Sequence, residues 1–321
     1  MKPNTLLDLL SDHRVHSGES LAKQLGVSRT AVWKQIRKAV AEGIEVTTIR
    51  GQGYQLVTEL DLLDRQKIVD GLAKEYEDKI DVTVLKEVDS TNAEVARKLL
   101  APGHGMPVVL ADAQTEGRGR RGRSWSSPKG QNLYMSMGLT LRGGFEGLSG
   151  LSLVLGVAVV RALSRLGVQG AGLKWPNDLY AGGKKFGGIL VEIQGELQEG
   201  QVQVIAGLGI NVHMKEAIAV DQPWTSLLKH WPEQKWVRND LATEVINGVA
   251  EALVHFEQEG FSVFRDEWQR YDIFLGQPLA AREGSLSGTG AGVDAGGNYQ
   301  LETDGGLISV MAGDISLRVT A

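Results

Sequence analysis

The 321-residue chain contains no cysteine. Disulfides, thiolate metal sites, iron–sulfur clusters and a cysteine nucleophile are therefore excluded, and any covalent chemistry must use other groups. Long apolar runs are missing too: the longest, Leu151 to Val160, falls well short of the ~20 residues that cross a bilayer. The opening segment MKPNTLLDLLSDHR has no apolar core of a signal peptide. A soluble, cytoplasmic protein with no membrane partner is expected. No G-x-x-x-x-G-K-[ST] string occurs, so a P-loop is not supported.

What is present is a globular balance, 42% hydrophobic and 23% charged, with enough apolar surface for a sizeable core. At roughly 100–200 residues per domain, two or three domains are expected. A net charge of −5 argues against a surface that clings to nucleic acid everywhere. The charge is uneven, however. Met1 to Val57 carries 8 Lys/Arg against 5 Asp/Glu, whereas the remainder carries 26 against 34. A basic N-terminal module sits on an acidic body.

Within that module, Ser17 to Ala41 reads as two helices and a tight turn. Leu21, Ala22 and Leu25 mark an apolar face, Gly26 breaks the first helix, and Ser28 is placed to cap the second. In the second helix Val32, Ile36 and Val40 are expected to face the core, leaving Arg29, Thr30, Trp33, Lys34 and Arg37 outside. A cationic helix face without acids suits the major groove, where Lys/Arg neutralise phosphates and the helix start reaches base edges. Glu45 to Ile49 and Tyr54 to Val57 read as a hairpin around Arg50-Gly51-Gln52-Gly53. The whole reads as a winged helix, with a small helical cap or dimerisation module as the alternative. Leu60 to Leu72 follows without a Gly/Pro-rich linker, so a helical connection near residue 64 is expected.

Gly117-Arg118-Gly119-Arg120-Arg121-Gly122-Arg123 follows the strand-like Val108 to Ala113. Its glycines match G-x-G-x-x-G, but a dinucleotide fingerprint must open a helix and this loop runs into Ser-Trp-Ser-Ser-Pro. A Gly/Arg loop can still close over a phosphate, since glycine permits close approach and arginine offers five donors. The competing reading is a solvated or RNA-binding tract, disfavoured by the acidic body and by the few stacking aromatics around the loop. Asp89 to Glu94 contains a capping-box pattern at Thr91 and Glu94. Lys174-Trp175-Pro176-Asn177-Asp178 precedes a strand pair turning at Gly182-Gly183. Period two places Lys185, Gly187 and Ile189 on one strand face, and Gly207, Gly209 and Asn211 on one face of Val202 to Val212. Glycines weaken a strand unless something approaches it closely: a flat ligand or a packed neighbour.

In this order GRGRRGRSW, KWPNDLY, KKFGGILVE and AGLGIN resemble the biotin protein ligase family. With the winged helix, the whole chain resembles its bacterial bifunctional ligases that also repress the biotin operon. The resemblance implies an α/β (α+β) chain: a winged helix-turn-helix over 1–64, a mixed-sheet catalytic domain over 65–273 and an SH3-like β-barrel over 274–321. The tail supports the last, with short strands Tyr299 to Glu302, Ile308 to Met311 and Ile315 to Val319 broken by glycine turns. The implied reaction joins biotin to ATP, with Mg2+, as biotinyl-5′-AMP, and then transfers biotin to a lysine of biotin carboxyl carrier protein. The implied regulation has the bound adenylate favour a homodimer that binds operator DNA.

Carried over residue by residue, the resemblance assigns biotin to Ser90, Thr91, Asn92, Gln114, Arg118, Gly119, Arg120, Trp125, Lys185, Gly187 and Gly207. The nucleotide falls to Lys174, Asn177, Asn211 and Trp224, and catalysis to Lys185, Arg120 and Asp178. Lys185 and Arg120 would stabilise charge at the α-phosphate, and Asp178 would orient the carrier lysine or help remove its proton. Lys174 and Asn177 would serve the nucleotide phosphates and the metal, with no separate metal site assigned. DNA contact is read from the exposed helix face, at Ser28, Arg29, Thr30, Trp33, Lys34 and Arg37, because the bulky Trp33 keeps a DNA site from being carried over from the family. The segment VHMKEAIAVDQPW, with apolar Ile218 and Val220, departs from the repressor-type pattern. A lipoate-type ligase and a pure ligand-sensing regulator are the competing functions.

Overall fold

The computed structural model describes residues 6–41, 44–57, 61–100, 105–196, 200–216, 222–281, 286–312 and 317–320. Three helices open the chain: α1 (Leu6–Leu10), α2 (Gly18–Leu25) and α3 (Arg29–Ala41). Ser17 Oγ accepts the Ser20 amide at the start of α2, and Gly26 ends it in the left-handed region at φ 68°. Ser28 Oγ accepts the Ala31 amide and starts α3. Strands β1 (Val46–Ile49) and β2 (Gly53–Leu56) pair antiparallel as the wing. Gly53, at φ 142°, lies where a Cβ would collide with the His16 carbonyl, so this close approach requires glycine. Val40, expected in the core, is 47% exposed, and Ala39 is buried instead. At about 3.6 residues per turn, the step from 32 to 39 closes two turns almost in phase, whereas the step to 40 overshoots the core.

This module has its own core of Leu6, Leu10, Leu21, Val32, Ile36, Ile44 and Leu56. It also touches the body, where Asp8 pairs with Lys129 at 2.8 Å and Lys86 at 3.4 Å. Leu60 lies outside the described residues. Residues 61–64 carry no helix, and the expected helix is α4 (Arg65–Asp70), capped by Asp64. Short α5 (Lys74–Glu77) follows. Asn239 and Asn247 hydrogen-bond both ends of α4, so this segment belongs to the body.

The body is a seven-stranded mixed sheet of β3 (Ile80–Leu85), β4 (Met106–Ala111), β5 (Asn132–Arg142), β6 (Gly172–Lys174), β7 (Asp178–Ala181), β8 (Lys184–Glu196) and β9 (Gln201–Asn211). The order is β3-β4-β5-β9-β8-β7-β6, parallel only between β3 and β4. Helix α6 (Thr91–Leu99) connects the parallel pair and covers one sheet face, while α7 (Leu151–Arg165) and α9 (Arg238–Glu259) pack on the other. Short α8 (Leu227–His230) precedes α9, and α10 (Arg265–Tyr271) follows it. Alternation divides each long strand. Leu133, Met135, Met137, Ala206, Leu208 and Ile210 enter the main core, leaving Ser136, Gly207 and Gly209 to the opposite face. Helix α7 is apolar on nearly all sides because sheet and α9 enclose it.

The chain closes on β10 (Pro278–Ala281), β11 (Ser287–Val293), β12 (Tyr299–Thr303), β13 (Gly306–Val310) and β14 (Leu317–Val319). They form one antiparallel sheet in the order β13-β12-β11-β10-β14. Ile315 lies outside the described residues, and Met311 is exposed beyond its strand. Phe274, Tyr299, Leu301 and Leu317 join the same core as the central sheet.

Candidate active site

A cavity of about 220 Å³ opens where the start of α6, the Gly/Arg loop, the β6–β7 turn and the strands β8 and β9 converge. One wall is neutral and hydrogen-bonded within itself. Thr91 donates its amide and hydroxyl to Gln114 Oε1, at 2.8 and 3.1 Å. Ser136 Oγ lies 2.7 Å from Thr91 Oγ1 and 2.5 Å from Asn92 Oδ1. Ser90, Thr91, Asn92 and Ser136 are all buried. The capping-box pattern does not operate: helix α6 starts at Thr91, Ser90 makes no side-chain cap, and Glu94 pairs with Arg97.

The strand glycines serve this wall by omission. A Cβ on Gly207 would collide with the Asn92 amide, and one on Gly209 would stand 2.6 Å from the Trp125 indole. The packed neighbours that require the glycines are therefore a carboxamide and an aromatic plate that border the cavity. Trp125 Nε1 is buried with no protein partner among the described residues, a donor of the kind that is normally satisfied.

The opposite wall is charged. Lys185 Nζ lies 2.6 Å from Asp178 Oδ1 and 5.6 Å from the centre of the Trp125 ring. Arg120 donates to Asn177 Oδ1 at 3.1 Å, and Asn177 Nδ2 donates to the Ile189 carbonyl at 2.6 Å. Burial lowers the pKa of Arg120, with neighbouring Arg121 adding to it. Burial also lowers the pKa of Lys174, whose ammonium lies over the rings of Tyr180 and Phe274. Glu192 joins the two walls, accepting from Asn92 Nδ2 at 2.6 Å and lying 3.5 Å from Arg118. In the Gly/Arg loop Arg121 takes φ 57°, a left-handed conformation unusual for a side-chain-bearing residue.

The cavity gathers the assigned Ser90, Thr91, Asn92, Gln114, Arg118, Gly119, Arg120, Trp125, Lys174, Asn177, Asp178, Lys185 and Gly207. Gly187 is displaced from it. Tyr180 pairs with Lys185 but Leu179 pairs with Gly187, so a bulge at Phe186 shifts the strand's faces. Gly188 takes the cavity position, facing Lys185 and Asp178, while Gly187 faces Leu179 and the Gly209 carbonyl. Asn211 and Trp224 border the neighbouring loop instead. Asn211 Nδ2 donates to the Thr225 carbonyl at 3.0 Å, and Trp224 stacks under the Lys229 ammonium at 4.3 Å. Ile218 and Val220 lie outside the described residues. Ser136, Glu192, Gly188, Gln222 and Arg318 escaped the sequence reading. Ser136 stands opposite Gly207 in the β5–β9 pairing, a register the structure supplies.

The basic helix of the N-terminal module presents Arg29, Thr30, Trp33, Lys34 and Arg37 to solvent. The Arg37 guanidinium lies 5.0 Å from the Trp33 ring centre, and Ser28 acts as the helix cap.

Residues 84–211 match the model of the biotin/lipoate A/B protein ligase family, and residues 3–55 match a helix-turn-helix domain. The chain is 39% identical over 320 residues to the bifunctional ligase/repressor BirA of Salmonella typhimurium, covering 98% of this chain and 97% of that one. It is 38% identical to the same protein of Escherichia coli, covering 99% of each. Among solved structures, the biotin protein ligase from Aquifex aeolicus in complex with biotin and ATP superimposes with TM-score 0.65 and 32% identity. That match covers 75% of this chain and 99% of the Aquifex chain. The chain is a ligase joined to a helix-turn-helix module, and it belongs to the biotin/lipoate protein ligase family, in the group of bifunctional ligase/repressors.

Proposed function

We propose that the protein adenylates biotin with ATP, transfers it to a lysine of biotin carboxyl carrier protein, and represses biotin-synthesis genes when the adenylate is bound. The observation that carries this reading is the meeting of two unlike walls in one cavity. The neutral wall of Thr91, Asn92, Gln114 and Ser136 suits a neutral ring rich in N–H and C=O groups. The charged wall of Lys185, Arg120 and Lys174 suits a carboxylate and phosphates.

In the first half-reaction a biotin carboxylate oxygen attacks the α-phosphorus of ATP and pyrophosphate leaves. Negative charge builds on the α-phosphoryl oxygens beside Lys185 and Arg120, whose fixed positions stabilise it without reorganisation. Asp178 holds Lys185 in place before ligand arrives. In the second half-reaction the carrier's lysine amine attacks the acyl carbon, loses a proton and expels AMP, with Asp178 as the carboxylate at hand to orient the amine and receive that proton. Mg2+ accompanying ATP retains waters and substrate phosphates as ligands and needs only one or two protein oxygens. Asp178, which borders the cavity beside Lys185, and Asn177 fit that demand. When bound, the ion would neutralise phosphate charge.

Lipoate has no ring N–H or C=O to hydrogen-bond with the neutral wall, whereas the biotin ring has both, and this favours biotin. On the regulatory side, the exposed basic helix suits a major groove. A homodimer formed with the adenylate would present two such helices to two operator half-sites. The test is incubation with biotin, MgATP and a biotin carboxyl carrier domain, followed by intact-mass analysis. One added biotinyl group on the carrier is expected, and a carrier left unmodified by folded enzyme contradicts the reading. Operator footprinting with and without biotin and ATP tests the second activity, with ligand-dependent protection expected.

A further inference from the structure

Three assigned residues, Lys174, Asn177 and Asp178, sit on the β6–β7 hairpin, whose strands are only three and four residues long, with β6 at the sheet edge. Strand β8 holds the Asn177–Asp178 side of the turn, through Asn177 with Ile189 and the Asp178–Gly188 pair, and the C-terminal sheet supplies anchors at Trp175 on the other side. Trp175 Nε1 donates to the Gly297 carbonyl at 3.0 Å. The Trp175 ring packs on Tyr299 with centres 5.7 Å apart. The Tyr299 hydroxyl donates to Asp272 Oδ2 at 2.7 Å, and Asp272 Oδ1 accepts the Phe274 amide at 2.9 Å. Beside them, the Ile273 amide donates to the Leu173 carbonyl, one residue before Lys174. Trp175 and Tyr299 are fully enclosed.

We propose that Tyr299 and Asp272 are positioning residues for the adenylating step, acting through Trp175 to fix the turn that presents Lys174, Asn177 and Asp178 to the nucleotide. Neither touches the cavity. The neutral wall rests on α6, β4, β5 and β9, which the Tyr299 contacts do not reach. Loss of the anchor therefore misplaces the nucleotide side and leaves the biotin side intact. A displacement of that kind costs about tenfold to a hundredfold in rate.

The inference rests on the ligase reading above, and the experiment separates the two. Biotin-dependent ATP–pyrophosphate exchange is measured on the full chain, with thermal melts establishing that each variant folds. Wild-type protein without exchange defeats the ligase reading itself. Given wild-type exchange, Tyr299→Phe keeps the ring and removes the donor, and kcat/KM for ATP is expected to fall about tenfold with KM for biotin unchanged. Trp175→Phe, which removes the indole donor and thins the plate that packs on Tyr299, should move the same parameter and decides the matter if Tyr299→Phe does not fold. The double variant Tyr299→Phe/Asp272→Asn should be no worse than Tyr299→Phe, because the pair acts as a unit. Folded Tyr299→Phe with wild-type ATP kinetics, or with biotin and ATP parameters impaired equally, overturns the inference.

Discussion

The two walls of the cavity solve opposite problems. On the neutral wall, buried hydroxyls and carboxamides hydrogen-bond one another before any ligand arrives, and Glu192 and Ser127 tie down the Asn92 and Gln114 amides, so the geometry of Thr91, Asn92, Gln114 and Ser136 is preset. On the charged wall, Lys185 is paired with one carboxylate, Asp178, and Arg120 with one carboxamide, Asn177. A preset polar wall confers selectivity, because only a ligand with matching N–H and C=O groups gains hydrogen bonds in exchange for the water it displaces there. Sparsely paired cations retain attraction for the charge that a reaction creates. On the proposed reading, recognition and catalysis thereby fall to different faces.

Breaking the charged wall should have the largest effect. Lys185→Ala is expected to lower the adenylation rate by about 10²–10³, the range for losing one preorganised donor to a developing charge, with biotin affinity less affected. Single-turnover measurement of adenylate formation checks it. Next, Arg120→Gly should leak activated biotin. Losing a charged hydrogen bond costs about 1.5–3 kcal/mol, or roughly ten- to a hundredfold in retention. Dissociation of radiolabelled biotinyl-AMP at the wild-type rate would refute it.

The neutral wall should break sterically. Gly207→Ala places a methyl group against the Asn92 amide, and the biotin Kd is expected to weaken about tenfold by calorimetry, for about 1.4 kcal/mol of misplaced hydrogen bonding. In the DNA module, Lys34→Ala should lower the salt slope of operator binding by about one without changing sequence preference.

The smallest effect concerns pH. Burial raises the Asp272 pKa from 3.8 to about 6. The folded protein thus holds a proton that the unfolded chain has released. The stability this contributes is complete below about 3.8 and is lost as pH rises through about 6. Asp272→Asn should flatten that portion of the stability profile, and chemical denaturation across the interval measures it.

Much of the fold was legible because local rules and tertiary structure agree. Ser17, Gly26 and Ser28 punctuate the first helices as their capping chemistry requires, and the alternation of β9 puts Gly207 and Gly209 on the cavity face. Where the reading failed, a local rule was overridden. Val40 fell to the helix drift between a period of four and 3.6. Gly187 fell to the Phe186 bulge, which no periodicity announces. The Thr91–Glu94 capping box gave way to a hydrogen bond from Thr91 to Gln114, formed across the fold. Arg318 reaches the cavity from the C-terminal sheet, and nothing in its own strand marks that destination. The charged residues were recognisable because four arginines in one loop and a lysine beside glycines have few structural explanations. Ser136 was not, because a serine in an apolar strand has many.

The most direct test of the two-walled account is ATP–pyrophosphate exchange with biotin, lipoate and octanoate offered in parallel to the wild-type protein with magnesium. Exchange supported by biotin alone is the predicted result, since only biotin engages both walls. Equal exchange with the other acids would contradict the selective role of the neutral wall, and no exchange with any acid would contradict the account as a whole.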